Sequence, residues 1–242
     1  MTSSSASAPR ILRATARDRV AVSYAVDPTL LAPHLPAGLV PDTRTGRAYV
    51  RLVGVRLTKV RVLGIVGPGL RRVPAVELQA LVREEERDRR GTMTIRAHVP
   101  RRLVAWGARL LYGEPVAVVP MQPVRRALDD GVEMTYRFDT RGREQRLRVV
   151  GQERPSEPTA DSLEAFLQNR HWRYGTGRGG SLLRARIERD DAPVRAVDEH
   201  HVTVRWASVY GDGWDALAGR APAAALFSPG GALALRWRER VS

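Results

Sequence analysis

The sequence predicts an α+β fold dominated by antiparallel β-strands, arranged as a sheet or barrel with one solvent-facing side. About nine or ten segments alternate apolar and polar residues, which is typical of such strands. Only two segments have apolar residues at helical spacing, and the elements do not follow the regular alternation of a parallel βαβ fold. The 242 residues are enough for one large domain, predicted over residues 18–242, after a polar, frayed tail at residues 1–17.

The strands are predicted where apolar residues recur at every second position. The first covers residues 20–26, in which Tyr24 shares one face with three valines. The run at residues 48–63 changes its apolar phase near Lys59, which indicates a bulge or bend. Further strands are predicted at residues 75–82, 93–99, 116–119, 132–138, 145–150, 182–188, 202–210 and 232–238.

Two helices are predicted from the spacing of their apolar residues and from their capping residues. One begins at Pro100 and ends at Gly113, because glycine is the preferred residue after the last helical turn. The other begins at Asp161 or Ser162, both good N-caps, and continues to Gly175.

The composition narrows the function classes. The net charge is +14, but 39 of the 40 basic residues are arginine and Lys59 is the only lysine. This bias indicates a coding preference, and the basic segments lack the interleaved aromatics of a nucleic-acid interface. A basic module for nucleic acid or anionic surfaces is kept as the alternative function. The absence of cysteine excludes disulfides and thiolate chemistry and fits the cytoplasm; no membrane span or secretory signal is predicted.

Three short motifs have the residue types of chemical sites. The glycine-rich residues 175–180 follow a predicted helix and contain no lysine, so they indicate a flexible turn and not a phosphate loop. The adjacent His200 and His201 would point to opposite faces of a strand, so no metal site is predicted. Ser228 precedes Pro229 and does not stand in a Gly-x-Ser-x-Gly elbow, which favours a role in a turn.

The remaining polar candidates lie on neighbouring strands and in one turn. Glu77 and Gln79 lie on one predicted strand, and Arg96 and His98 lie on the next. If these faces point inward, they form a cavity with an acid that can act in proton transfer and an arginine that can hold a carboxylate. Alternation alone does not decide which face is inside, so a solvent-facing position stays open. The turn and its surroundings add Tyr112, Glu114 and Gln122.

Four segments carry a resemblance to a known family. They are residues 26–57, 109–121 (RLLYGEPVAVVPM), 160–187 and 227–237 (FSPGGALALRW), in this order. On them the chain is identified as a member of the YqjF-like family, bacterial proteins of unknown function, over residues 18–238. The resemblance implies an acetoacetate-decarboxylase-like fold, in which an antiparallel, barrel-like sheet encloses a pocket and a few helices lie outside.

The resemblance also implies which chemistry is missing. Acetoacetate decarboxylase has a Gly-x-Pro turn followed by paired lysines, one of which forms a Schiff base. The turn matches residues 113–115 here, and Val116 and Ala117 occupy the lysine positions. Lys59 would have to replace them, which is a third hypothesis. Glu77 matches a glutamate of that enzyme, whereas residues 77–81 depart from the Asn-x-Arg-Thr-Tyr of nearer relatives, so this wall is expected to be less cationic.

The predicted function is a pocket protein that binds or transforms a small keto or carboxylic compound without a Schiff base. Whether it is an enzyme is left open, and no cofactor or metal is predicted. Acid–base chemistry would depend on Glu77, Arg96, His98 and Glu114. The partner is a small organic ligand, and self-association is left open. The predicted ligand-binding residues are Tyr24, Gln79, Tyr112, Val116 and Gln122.

Overall fold

A computed structural model describes residues 8–67, 70–156, 158–190 and 193–241. Most described residues lie in strands. The strands are β1 Arg10–Val26, β2 Leu39–Pro41, β3 Ala48–Val62, β4 Arg72–Glu84, β5 Arg89–Val99, β6 Val116–Val118, β7 Met121–Leu128, β8 Gly131–Thr140, β9 Arg143–Ser156, β10 Trp172–Thr176, β11 Leu182–Arg189, β12 Val194–Thr203, β13 Ala224–Arg236 and β14 Glu239–Arg240. The helices are α1 Pro28–Leu31, α2 Arg102–Tyr112, α3 Leu163–Gln168 and α4 Trp206–Tyr210. The predicted sheet-dominated α+β class is confirmed.

Seven of the strands form a closed ring. Hydrogen bonds connect them in the order β11, β10, β5, β4, β3, β1 and β13, and β13 pairs with β11 to complete the circuit. The pairs are antiparallel except for β10 with β5, which is parallel. From β13 the sheet continues outside the ring through β12, β9, β8 and β7. The ring leaves one face of each of its strands directed to an interior.

The other face of the ring strands packs against this outer extension of the sheet. Buried residues of β1, β3 and β4 form one cluster with Met134 and Tyr136 of β8, Leu147 of β9 and Trp206 of α4. A Cβ atom at Gly54 would lie 2.4 Å from the ring of Tyr136, so this position of β3 has no room for a side chain. Both faces of β1, β3 and β4 are therefore covered, where the sequence had predicted a solvent-facing side.

The phase change near Lys59 is a β-bulge, as predicted. Thr15 pairs with Thr58 and Arg13 pairs with Arg61, so β3 holds one residue more than β1 between these pairs. Lys59 has a φ of 51° and its side chain is exposed. Because the bulge reverses the alternation, Leu57 before it and Val60 after it both line the interior.

The predicted N-terminal tail is shorter than expected. β1 begins at Arg10, and residues 10–17 pair with β13 on one side and β3 on the other. In this segment Arg10, Arg13 and Arg17 lie three and four residues apart, so it lacks the period-two pattern of a strand, and the pairing with β13 and β3 decides its conformation. Residues 1–7 of the expected tail lie outside the described residues.

Helix α2 agrees with its prediction, whereas two other segments do not. Gly113 ends α2 in the left-handed conformation, with a φ of 64°. The second predicted helix stops at Gln168, and β10 follows it, because Trp172 and Tyr174 pair with both β5 and β11. The strand predicted over residues 202–210 is wrong beyond Thr203, because β12 ends there and helix α4 follows. Tertiary pairing overrides the local pattern in both places.

Candidate functional site

The inward faces of the ring strands and the apolar side of α2 line a cavity of about 1160 Å³. Its polar lining includes Arg19 of β1, Glu77 and Gln79 of β4, Arg173 of β10 and Arg189 of β11. The rest of the lining is mainly aliphatic. In its few convergent polar groups within an aliphatic lining, the cavity resembles a small-molecule site.

Arg173 is the centre of the polar lining. Its guanidinium contacts both carboxylate oxygens of Glu114, with an Nη2–Oε2 distance of 2.9 Å. The same Nη2 donates to Glu77 Oε2 at 2.9 Å and to the hydroxyl of Thr94 at 2.9 Å. Glu77 also accepts a hydrogen bond of 2.5 Å from Nε2 of Gln79. One guanidinium thus pairs with two carboxylates that come from different elements.

Two glycines bring Glu114 to this position. The backbone of Tyr112 and Gly113 lies directly against that of Gly175 and Thr176 at the end of β10. A Cβ atom on Gly113 would lie 2.2 Å from the carbonyl oxygen of Thr176, and one on Gly175 would lie 2.0 Å from that of Tyr112. This close approach of two backbones places the residue after the α2 C-cap beside Arg173 of β10.

The two carboxyl groups respond to this environment in opposite directions. Burial opposes the ionisation of Glu77, but the charge of Arg173 and the hydrogen bonds from Gln79 and Arg173 together lower its pKa. Burial raises the pKa of Glu114, and the nearby charge of Glu77 adds to this effect, while Arg173 opposes it. Pairs of carboxyl groups whose pKa values are separated in this way are suited to divide the roles of acid and base.

Further arginines surround the cluster. Burial lowers the pKa of Arg19. Arg189 lines the cavity and keeps an exposed surface. Desolvation by the surrounding protein, followed by the charges of Arg19 and Arg173, lowers its pKa to about 9. Arg51 is buried on the same face of β3 as Val53 and Val55, and its Nε donates to Oε1 of Gln79 at 2.8 Å. The cluster therefore contains more cationic than anionic groups.

The structure brings together one part of the predicted site. Glu77, Gln79, Tyr112, Glu114 and Val116 all line the cavity. Tyr112 and Val116 are buried, and burial followed by the charge of Glu114 raises the pKa of the Tyr112 hydroxyl. The turn after α2 and the inner face of β4 thus meet, as the sequence led us to expect.

The expected convergence of Glu77 with Arg96 and His98 is wrong. Gln79 pairs with Thr94, but the neighbouring Leu78 pairs with Arg96, so β5 holds an extra residue, Ile95, at this point. Such a bulge reverses which face the following side chains occupy. Thr94 therefore points to the inner side of the sheet, where it contacts Arg173, while Arg96 and His98 point to the opposite side.

On that opposite side, the two residues have structural contacts. Nη1 of Arg96 donates to the carbonyl oxygen of Val209 at 2.9 Å. The ring of His98 is buried, with its centroid 5.2 Å from that of Phe138 and 5.6 Å from that of Tyr210. Desolvation and the charge of Arg96 lower the pKa of His98 to about 4. Both side chains are separated from the cavity by the sheet.

Tyr24 and Gln122 also lie away from the cavity. Tyr24 belongs to the main core, where its ring packs edge-on against Trp206 at a centroid distance of 5.6 Å. Gln122 is exposed on β7, opposite Arg137 of β8. Tyr24 alternates with cavity-facing positions of β1, and Gln122 belongs to a strand outside the ring, so neither position directs its side chain inward.

The three short motifs lie in a turn before β11, on β12 and on β13. Residues 178–180 of the glycine-rich segment form an exposed 3-10 turn before β11, so the turn prediction is confirmed. His200 and His201 are exposed on β12; among the described residues, no three His, Cys, Asp or Glu side chains group as metal ligands. Ser228 lies within β13, not in a turn, pairs with Arg19 and lines the cavity.

Sequence reasoning missed the arginines of the site. Arg173 fell in the predicted helix, and Arg19 and Arg189 lay just outside the ends of predicted strands. Arg51 offered a usable signal, because a single charged residue inside the apolar run of β3 must be buried and paired. The expectation of a less cationic wall holds only for β4 itself. The cavity as a whole is cationic, because arginines come from β1, β3, β10 and β11.

The fold is that of acetoacetate decarboxylase and its structural relatives. The chain is similar to an acetoacetate decarboxylase-like enzyme from Sphingomonas wittichii RW1, with 14% identity, a TM-score of 0.69 and coverage of 97% of this chain and 94% of that one. The acetoacetate decarboxylase of Legionella pneumophila gives 14% identity, a TM-score of 0.69 and coverage of 97% and 88%. The chain is also similar to the enduracididine biosynthesis enzyme MppR, complexed with the condensation product of pyruvate and imidazole 4-carboxaldehyde. Here the identity is 16%, the TM-score is 0.72, and the match covers 99% of this chain and 92% of that one.

The family itself follows from the sequence. The profile of the DUF2071 family, described as an uncharacterized conserved protein, matches residues 13–232. The chain belongs to this family, and the family assignment made from the four segments is confirmed. No curated protein matches the chain. In the described part of the chain, no helix has the length and apolar character needed to cross a bilayer.

Proposed function

We propose that the cavity binds a small organic carboxylate, such as a keto acid, without forming a covalent bond to a lysine. The observation that carries this proposal is the pair of cavity-lining arginines, Arg19 and Arg189. Within the described residues neither forms an ion pair with a protein carboxylate, whereas Arg173 is neutralised by Glu77 and Glu114. Guanidinium groups match carboxylates in charge and geometry.

The lowered pKa values of these two arginines support the same conclusion. Desolvation makes each charged side chain less favourable than it is in water, and each guanidinium remains the positive partner that a bound anion would stabilise. A carboxylate beside Arg19 and Arg189 would offset this cost. Solved structures of the same fold include MppR complexed with pyruvate, itself a keto acid.

The cavity has no lysine amine that could form a Schiff base with a keto acid. The positions that follow the Gly-Glu-Pro turn carry Val116 and Ala117, and the only lysine, Lys59, is exposed on β3 and does not line the cavity. This arrangement favours noncovalent binding over the lysine-dependent decarboxylation considered from sequence.

Proton transfer to the bound acid is a second function, which the divided pKa values of Glu77 and Glu114 favour. Of the two, Glu77 with its lowered pKa would stay ionised longer on acidification, and Glu114 with its raised pKa would take up a proton first. Arg96 and His98, proposed from sequence for the same chemistry, are on the far side of the sheet. Binding to nucleic acid stays a prediction from net charge alone.

The proposed function is tested by calorimetric titration with pyruvate, acetoacetate and longer carboxylates. Arg19→Gln and Arg189→Gln are each expected to weaken binding by about tenfold or more, the loss typical of one charge-assisted hydrogen bond. Arg189→Lys should recover part of the affinity, since it keeps the charge without the planar fork.

The control is Arg13→Gln, which removes an exposed arginine of the same strand as Arg19 and should leave the affinity unchanged. Equal affinity for the carboxylates in all these variants would refute the assigned binding residues. No binding of any carboxylate to the native protein would refute the function.

A further inference from the structure

We propose that the ligand is an amphipathic acid, with its carboxylate at Arg19 and Arg189 and a large apolar body along the remaining cavity wall. This inference rests on the proposed function and specifies the class of acid. The cavity volume of about 1160 Å³ exceeds the usual range of about 300–1,000 Å³ for sites of drug-sized ligands. A small keto acid would leave most of this space unfilled.

The register of β3 and β4 separates a polar end of the cavity from an apolar end. Gln79 pairs with Arg51 at the polar end, and Glu77 pairs with Val53 two residues further along. The next inward pairs are Ala75 with Val55 and Val73 with Leu57, all apolar. The six steps from Gln79 to Val73 span about 20 Å of strand, and the apolar pairs lie within the four steps, about 14 Å, beyond Glu77.

The strands next to β3 in the ring, β1 and β13, also change from polar to aliphatic along their length. Arg19 of β1 pairs with Ser228 of β13, and Leu12, seven residues before Arg19, pairs with Leu235. Leu235 in turn pairs with Ile187 of β11. Since antiparallel pairs lie side by side, Leu12, Leu235 and Ile187 form one aliphatic level. The two arginines lie beside aliphatic positions of the neighbouring strands, because Arg19 is level with Val55, between the pairs Val20–Gly54 and Arg17–Arg56, and Arg189 pairs with Leu233.

Helix α2 covers the apolar end. Ala105 and Ala108 pack with Val55 and Ala75, and Leu111 packs with Leu12 and the aliphatic residues near it. Three further residues of α2 line the cavity and are also exposed to solvent, to 67%, 65% and 49%: Leu103, Trp106 and Leu110. An apolar body in the cavity would cover part of this surface, which exceeds the scattered exposure expected of single residues.

The opposite arrangement, a strongly polar ligand, does not fit these walls. Hydroxyl or amide groups placed beside Val55, Leu57 and Val73 would lose their hydrogen bonds to water without gaining protein partners. Each methylene buried there instead contributes about 0.8 kcal/mol, which is close to a fourfold gain in affinity. The length of an apolar chain should therefore control affinity strongly.

The test measures dissociation constants of straight-chain carboxylates from butanoate to dodecanoate, each below its critical micelle concentration, together with the 1-alkanols of equal length. We expect the affinity for carboxylates to rise about threefold to fourfold per methylene and then to level off when the cavity is filled. Each alkanol should bind at least about tenfold more weakly than its carboxylate, because it lacks the charge that Arg19 and Arg189 recognise.

Two variants locate the apolar body. Leu57→Gln places an amide on the inner wall and should weaken binding of the long acids by about tenfold while leaving butanoate nearly unchanged. Leu128→Gln changes an exposed leucine of β7 that does not line the cavity, and it should bind like the native protein. The chain-length series on the native protein decides the matter even where Leu57→Gln fails to fold.

The outcomes separate this inference from the function on which it rests. Carboxylates that bind through Arg19 and Arg189 with an affinity independent of chain length, or falling with it, would leave the proposed function intact and overturn the amphipathic ligand. If alkanols bind as tightly as carboxylates, the cavity is only an apolar site and the carboxylate assignment fails. If no acid of any length binds, both proposals fail together.

Discussion

The guanidinium of Arg173 contacts both carboxylate oxygens of Glu114, although the two residues are far apart in sequence and come from β10 and the turn after α2. The same guanidinium holds Glu77 of β4. The three side chains are only 8% to 14% exposed. This pairing therefore fixes the turn, β4 and β10 relative to one another beside the cavity.

Replacing Arg173 should destabilise the protein strongly. Arg173→Met leaves two buried carboxylates without a cation, a change that costs about 3–5 kcal/mol in free energy of unfolding. The cost should shrink at acidic pH, where both carboxyl groups take up protons. Urea unfolding at neutral and acidic pH measures both effects.

The matched control is Arg10→Met, which removes an arginine that pairs with Glu188 at a 46% exposed position. A surface pair of this kind contributes less than about 1 kcal/mol. Equal losses of stability in the two variants would contradict a structural role for Arg173 beyond that of an ordinary surface ion pair.

Acid sensitivity is predicted from His98. Desolvation and Arg96 lower its pKa from 6.5 to about 4, so between these values the unfolded state binds more protons than the native state. Falling pH therefore destabilises the native protein across this window, by up to about 3 kcal/mol for this group. His98→Gln should make the unfolding free energy less dependent on pH between 6.5 and 4.

The exposed His200 provides the control. His200→Gln removes an exposed histidine in place of a buried one and should keep the pH dependence of stability of the native protein. If His98→Gln and the native protein lose stability equally on acidification, burial of a neutral His98 is not the cause.

The contact between the α2 C-cap and β10 should be sensitive to a single methyl group. Gly175→Ala places a Cβ atom 2.0 Å from the carbonyl oxygen of Tyr112, so the two backbones must separate and the Glu114–Arg173 pair must loosen. We expect a loss of about 2 kcal/mol or more in unfolding free energy, together with weaker carboxylate binding.

Gly107 of α2 offers the opposite case within the same region. A Cβ atom there meets no heavy atom within 4 Å, and alanine is favoured over glycine inside a helix by about 1 kcal/mol. Gly107→Ala should therefore raise the melting temperature while Gly175→Ala lowers it. A similar fall in melting temperature for both variants would show that the loss in Gly175→Ala is not specific to the backbone contact between α2 and β10.

Much of the fold could be predicted from sequence because it depends on local patterns. Alternation located most ring strands, Gly113 marked the end of α2, and the change of phase at Lys59 indicated a real bulge. The site was harder, because the bulge at Ile95 appears only when β5 is paired with β4. That one extra residue turns Arg96 and His98 away from Glu77. Arg173 was hidden in an apparent helix whose strand pairing is decided by distant partners.

The position of Lys59 leads to a last prediction about chemistry. It is the only lysine of the chain, and its side chain is exposed at the β3 bulge, away from the cavity lining. Lys59→Asn, which suits a φ of 51° because asparagine tolerates the left-handed region, should leave carboxylate affinity unchanged. Arg189→Gln, measured beside it, should weaken that affinity. Borohydride treatment with acetoacetate should leave the mass of the native protein unaltered. An adduct that disappears in Lys59→Asn would instead mean that Lys59 reaches a bound keto acid, so that a Schiff base would have to replace noncovalent binding as the basis of function.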